Sequence, residues 1–156
     1  MYQILPAKEA HIIHVAEHMR EADRREVFAS SGFGAESALR ASFNASEECY
    51  VGLVDDVPVC IFGVVRASLL SRKGIPWMLG TPDLETHAMT LLRVSRRVMK
   101  AWKTRFDRLE NHVDARNTKS IQWLRWLGFT IHDAKPYGVF GHPFHHFTYE
   151  RSRDDV

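Results

Sequence analysis

The chain has 156 residues, 45% of them apolar and 26% charged, with 21 Lys and Arg against 19 Asp and Glu. A chain of this length buries roughly 70% of its unfolded surface around one core, so its apolar content excludes a disordered polymer and removes the need for a disulfide or metal staple. The formal net charge of +2 is too small to argue for nucleic acid by itself, and any such argument rests on local clustering.

Tyr2 to Leu5 reads as a short first strand, stopped by Pro6. From Ala7 to about Arg20, the apolar positions Ile12, Ile13, Val15, Ala16 and Met19 recur at helical spacing. A charged patch from Glu21 to Glu26 then leads to the breakers Ser30-Ser31-Gly32-Phe33-Gly34, and Glu36 to Phe43 reads as a short second helix. Glu48 to Val54 and Val59 to Val65 are rich in strand-forming residues and flank Asp55-Asp56-Val57-Pro58, which predicts a β-hairpin. Ile75 to Leu79 is a third central strand, ending at Gly80.

Thr81-Pro82-Asp83 carries a helix start signal: a hydroxyl cap, Pro at the first helical position and an acid at the dipole's positive end. Leu91, Val94, Val98, Trp102, Phe106 and Leu109 follow at spacings of three and four, which predicts one long helix with a buried stripe. His112 to Ala115 is a short strand. Asn117 opens another helix with Ile121, Trp123, Leu124 and Leu127 apolar, closed by Gly128 in the C′ position. Phe129 to Ile131 and Phe144 to Tyr149 are terminal strands around a loop rich in Gly, Pro and His. Residues 1–150 form one domain in this reading, and 151–156 a polar tail. Consecutive hairpin strands followed by a strand–helix–strand crossover predict a mixed α/β sheet.

Cys49 and Cys60 sit in apolar runs, which predicts two buried thiols in a reducing compartment. The N-terminus lacks the basic region and apolar core of a signal peptide, and no apolar run approaches the roughly 20 residues of a membrane span. These features lead us to expect a soluble, intracellular protein.

The segment Asn117-Thr118-Lys119-Ser120-Ile121-Gln122-Trp123-Leu124-Arg125-Trp126-Leu127-Gly128-Phe129 resembles the C-terminal motif of the GCN5-related N-acetyltransferases (GNAT). Asn117, Ser120, Gly128 and Phe129 occupy the motif's places. The resemblance implies a GNAT-like mixed central sheet of six to seven strands flanked by about four helices. Pro76-Trp77-Met78-Leu79, the basic helix, Val113-Asp114-Ala115-Arg116-Asn117 and Arg125-Trp126-Leu127-Gly128 further resemble a bacteriophage group with a GNAT-like fold. That group includes the small internal virion proteins of short-tailed phages.

GNAT enzymes hold the diphosphate of acetyl-CoA on a glycine-rich turn at the start of the long helix, through backbone N–H groups and the helix dipole. The stretch at that place here, Gly80-Thr81-Pro82-Asp83-Leu84-Glu85, departs from the pattern. Gly80 is its one glycine, Pro82 removes a donor, and Asp83 and Glu85 place carboxylates where phosphates would arrive. At roughly 5 Å and an effective dielectric near 20, each such repulsion costs a few kcal/mol before salt screening. Ordinary helix capping explains Thr81, Pro82 and Asp83 better. Leu124 stands where many GNAT enzymes carry a tyrosine that protonates the leaving thiolate, and leucine has no proton to give. Tyr137 and Tyr149 are the possible substitutes, although both also read as ordinary strand or loop aromatics.

No catalytic residue is identified in this reading. Glu47 and Glu48 begin a strand as candidate bases, but solvated strand ends are the commoner outcome. Arg93, Arg96, Arg97, Lys100 and Lys103 form a basic helix face, read as solvated in preference to a nucleic-acid contact. Trp123, Leu124 and Leu127 fit a core face, with Trp126 partly exposed at a protein interface. His11, His14 and His18 share a helix side, and His142, His145 and His146 lie close in sequence; neither group is assigned a metal.

The sequence thus points to a GNAT-like domain with a degenerate acetyl-CoA site and no cofactor. The phage resemblance implies a non-catalytic role through contacts with other phage or host proteins, in the host cytoplasm or within the virion. The alternative is an active acyl-CoA-dependent N-acyltransferase using acetyl-CoA. In that case the cleft between Ile75–Leu79 and His112–Ala115 takes the pantetheine, with Leu79, Gly80 and Asn117 as first contacts.

Overall fold

In the computed structural model, which describes residues 1–151, strand β1 (Tyr2–Pro6) is followed by helices α1 (Glu9–Glu17), α2 (Glu21–Ser31) and α3 (Ala35–Ala45). Strands β2 (Glu48–Val54), β3 (Val57–Arg66) and β4 (Lys73–Gly80) then run as an antiparallel meander. Helices α4 (Leu84–Val94) and α5 (Arg96–Arg105) cross to β5 (Arg108–Asp114), which lies parallel to β4. Helix α6 (Thr118–Trp126) and the hairpin β6 (Thr130–Tyr137) and β7 (His142–Glu150) complete a seven-stranded sheet in the order β1-β2-β3-β4-β5-β7-β6.

Local chemistry accounts for the punctuation. Asp55 and Asp56 both take positive φ, 48° and 66°, as a two-residue turn between twisted strands requires. Gly128 takes φ 96° just beyond α6, where a Cβ is disfavoured. Helices α1 and α3 cover one sheet face, packing Ile12, Val15 and Leu39 against Val51, Ile61 and Leu79. The opposite face is covered by α4, α5 and α6. There Leu84, Leu91 and Trp123 meet Val59 and Cys60, while Trp102 and Ile121 meet Phe106, Leu109 and Phe147.

Six helices replace the four expected. The charged patch Glu21 to Glu26 is itself helical, in α2. The expected long helix is broken at Ser95, whose hydroxyl donates to the Leu92 carbonyl at 3.0 Å. Phe106 and Leu109 belong to the end of α5 and to β5 rather than to one helical stripe, yet both are fully buried. Val94, assigned to that stripe, is instead exposed. Strand β6 runs through polar, exposed residues because its pairing with β7 is carried by the backbone. Cys60 is buried and Cys49 half-buried; both are free thiols, pushed up to about 12 by burial. Among the described residues, no helix is long and apolar enough to cross a membrane.

Candidate functional site

Strands β4 and β5 pair at Lys73–Arg108 and Gly74–Leu109, and beyond that point they part. Asn111 Nδ2 still bridges the gap by donating to the Pro76 carbonyl at 2.9 Å. Towards Gly80 and Asp114 the two strand edges face each other without ladder bonds, and their buried backbone groups need other partners.

Helix α2 and the residue before it supply those partners. The Gly80 N–H donates to Asp23 Oδ2 at 2.9 Å, and the Arg20 N–H donates to the Gly80 carbonyl at 2.8 Å. On the opposite edge, the Asp114 N–H donates to Glu26 Oε1 at 2.8 Å. Arg20, Asp23 and Glu26 are three residues apart, so a helix presents them on neighbouring turns of one side. That side faces the splay, and both strand edges are tied to it.

The Arg20 guanidinium, 3% exposed, is the centre of this network. It donates to Asp23 Oδ1 at 2.8 Å, Glu85 Oε1 at 3.2 Å, Asn117 Oδ1 at 3.3 Å and Ser120 Oγ at 3.4 Å, and lies 5.1 Å from the Trp123 ring centroid. Asn117 Nδ2 donates in turn to Asp23 at 3.2 Å and to Glu26 at 3.4 Å. Asn117 stands at the N-cap position of α6, but its side chain serves this network and makes no cap bond. Lys119 pairs with Glu85 at 3.1 Å, and Arg116 with Asp114 at 2.7 Å. The positive ends of α4 and α6 thus converge on a set of carboxylates.

Burial pushes the Asp23 carboxyl up, against the pull of Arg20, the Gly80 N–H and Asn117. Glu26 is pushed up to about 8 by burial and by the neighbouring charges of Asp23 and Asp114. Such a carboxyl favours its protonated form near neutral pH, and its Oε1 accepts from the Asp114 N–H and from Asn117 Nδ2. Burial also acts to raise Asp114, but Arg116 outweighs it and holds that carboxyl low. Glu85 is lowered by Lys119 and Arg20.

Backbone bonds engage most N–H groups of the turn from β4 into α4. The Thr81 N–H donates to the Val59 carbonyl at 2.9 Å, that of Leu84 to Thr81 at 3.0 Å and that of Glu85 to Pro82 at 3.1 Å. The N-cap is Asp83 rather than Thr81, and no side chain caps the helix. Instead the Thr81 hydroxyl is buried without a partner among the described residues. A Cβ on Gly80 would lie 2.5 Å from Leu84 Cδ2, so glycine here permits the close seating of α4 on the strand end.

In the splay lies a cavity of about 260 Å³, lined by Pro76 to Leu79 of β4 and Asn111 to Val113 of β5, with Val27 of α2 at one side and Leu84, Trp102 and Trp123 of α4, α5 and α6 at the other. Glu26 and Ser120 also reach it. The three predicted cofactor contacts, Leu79, Gly80 and Asn117, therefore gather around one feature, the parted end of β4 and β5.

The candidate bases do not. Glu47 pairs with Arg66 and Arg105, while Glu48 accepts from Trp102, Tyr50 and Arg105 at the far end of the sheet. Neither lines the cavity. Tyr137 stacks on His112 with centroids 3.8 Å apart, and Lys103 lies over the Tyr149 ring at 4.6 Å. Burial, reinforced by the nearby His146, lowers His112. His146 is bonded to Glu110, His145 to the His132 carbonyl, and His14 stacks on His18. Among the described residues, no group of three or more His, Cys, Asp or Glu is placed to hold a metal ion. Sequence reading missed Arg20, Asp23 and Glu26. Their regular spacing of three within a charged run was the available signal.

Comparison with known proteins places this geometry. No family model and no curated protein matches the sequence. Solved structures do match. The smu.2055 protein of Streptococcus mutans UA159 superposes with a TM-score of 0.72 at 12% identity, over 96% of this chain and 99% of its own. Spermidine N-acetyltransferase of Vibrio cholerae, solved with CoA and spermine, gives 0.68 at 12% identity, over 97% and 96%. The ribosomal-protein-S18-alanine N-acetyltransferase of Escherichia coli gives 0.64 at 14% identity, over 97% and 95%. The fold is that of the GNAT acetyltransferases. At these identities the likeness extends to the fold and no further.

Proposed function

We propose that this chain is a GNAT-fold phage protein whose diphosphate-binding turn is tied up by its own groups, and that it acts by contact with other phage or host proteins rather than by acyl transfer. The observation that carries this reading is the double tether of Gly80 to Asp23 and of Asp114 to Glu26 across the parted strands. A diphosphate at the start of α4 needs several free backbone donors, whereas the N–H groups of Gly80, Thr81, Leu84 and Glu85 are engaged, Pro82 has none, and that of Asp83 sits beside its own carboxylate. It would also approach Glu85 and the Asp23 carboxylate. The residues at this turn do not fit the group.

Magnitude supports the same conclusion. Separating a buried pair such as Arg20 and Asp23 costs about 3–5 kcal/mol. The whole binding free energy of a micromolar ligand is about 8 kcal/mol. A coenzyme that had to open this network would lose much of its affinity. Contact with proteins is favoured by an exposed aromatic pair: Phe28 of α2 and Phe140 of the β6–β7 turn, each 53% exposed, lie with ring centroids 5.1 Å apart and tilted planes. The phage setting rests on the sequence resemblance to internal virion proteins.

Isothermal titration with acetyl-CoA at neutral pH tests the reading. No measurable heat is expected, and a micromolar dissociation constant overturns it. A second reading, an active N-acyltransferase, is favoured by the apolar cavity in the splay, by the unpartnered Thr81 hydroxyl and by a Glu26 poised near pH 8. That reading requires coenzyme binding together with thiol release in the presence of an amine, and the same titration separates the two.

A further inference from the structure

Cations are distributed unevenly over this molecule. Around most of the surface they are neutralised: Arg66 by Glu47, Arg72 by Asp107, Arg105 by Glu48 and Arg108 by Glu110. Along α4 and α5 the pattern changes. From Leu91 to Phe106 the chain carries six Lys and Arg and no Asp or Glu. Among the described residues, no carboxylate lies within 4 Å of Arg93, Arg96, Arg97 or Lys100, and all four are exposed.

Helical spacing puts Arg96, Arg97 and Lys100 on one side of α5, and Arg93 stands in the last turn of α4, just before the break at Ser95. Arg96 and Arg97 occupy the first turn of α5, where the dipole disfavours cations and where this helix has no acid. Helix stability therefore does not explain the stripe. The apolar side of α5 is already committed to the core through Trp102, Val98 and Met99, so the helix has no free apolar face to lay on a lipid surface. What borders the cations is an indole: the Arg96 guanidinium lies 5.6 Å from the Trp126 ring centroid, and Trp126 keeps 39% exposure. Arg125, exposed and also without a carboxylate partner among the described residues, adjoins it in the chain.

We propose that the α5 cationic stripe and Trp126 form a binding surface for single-stranded nucleic acid, with Arg93, Arg96, Arg97 and Lys100 on the phosphates and Trp126 as a base-stacking platform. A row of unpaired cations supplies the sequence-independent attraction, and an exposed indole beside it supplies a face that any unstacked base can use. A duplex keeps its bases stacked and cannot use the indole in this way, so the single strand is the form selected. The surface lies on the outside of α5 and α6 and does not depend on whether the turn from β4 into α4 can hold a diphosphate.

Fluorescence anisotropy of a labelled deoxythymidine 12-mer, titrated with the whole protein from 50 to 200 mM salt, tests the proposal. Four phosphate contacts predict a slope of log affinity against log salt of about −3. The double variant Arg97→Gln, Lys100→Gln is expected to halve that slope. Trp126→Ala is expected to weaken binding about ten-fold with the slope unchanged. Lys135→Gln, on the distant β6 strand, is expected to leave both unaltered. No binding at 50 mM salt overturns the proposal. So does a salt slope that the double variant does not change, or equal affinity for a heparin fragment of the same charge with no loss in Trp126→Ala. Circular dichroism of each variant establishes that it is folded.

Discussion

The two ends of the β4–β5 pair solve the same problem with opposite chemistry. At Gly74 and Leu109 the strands are joined by their own backbone bonds, and the surrounding side chains are apolar: Val64, Phe106 and Leu109 are fully buried. At Gly80 and Asp114 the strands have separated, and buried backbone groups on both edges are met by side chains from α2. A sheet that closes can be lined with hydrocarbon. One that opens must recruit polar groups, and each carboxylate recruited then needs its own cation or proton. Arg20 answers Asp23, and a bound proton answers Glu26.

The largest effect is expected at the open end. Arg20→Ala leaves Asp23 buried beside Gly80 without its cation, and should cost about 3–5 kcal/mol in a urea unfolding experiment. Adding Asp23→Asn should restore part of that loss, because the stranded charge is then removed. A double variant no more stable than Arg20→Ala alone would mean that the arginine acts by packing on Trp123 instead.

Next comes pH. Glu26 has a folded value of about 8 against 4.5 for an ordinary glutamate, so the folded protein holds a proton that the unfolded chain releases. Its contribution is fully present below pH 4.5 and is lost as pH rises through 8, by a few kcal/mol across the interval. Glu26→Gln keeps the acceptor for the Asp114 N–H and removes the titration. Its thermal midpoint should exceed that of the parent at pH 8 to 9, with little difference at pH 5. Equal pH profiles for the two proteins would place the proton elsewhere.

The smallest effect belongs to the closed end. A Cβ at Gly74 would sit 2.9 Å from both Leu109 and Val64 and 3.1 Å from Phe106. Gly74→Ala should cost about 1–3 kcal/mol by overpacking, with no pH dependence between 5 and 9. Comparing the pH profiles of Gly74→Ala and Arg20→Ala separates a dry junction from an ionised one.

The β2–β3 hairpin and the helix closed by Gly128 were legible because each rests on local rules: a turn between two runs of β-formers and a glycine beyond the last helical turn. Leu79, Gly80 and Asn117, expected from the GNAT resemblance as coenzyme contacts of an active enzyme, lie at the parted strands. Helix α2 was not legible, since the side it turns to the splay carries Asp23 and Glu26, next to Arg20 at its cap, and so mimics a solvated run. Glu47 and Glu48 looked available because nothing local names their partners, Arg66 on β3 and Arg105 and Trp102 on α5.

By itself, the sequence determined which segments are helix and strand over most of the chain, and that they wind into a mixed α/β sheet. These outcomes depend on torsional preferences and on apolar periods of two and 3.6 residues, which neighbouring residues already fix. Only the tertiary structure decided that a charged stripe would turn inward and bridge two separating strands. The partners of Asp23 and Glu26 are backbone donors more than fifty residues away, brought within hydrogen-bond distance by the fold alone.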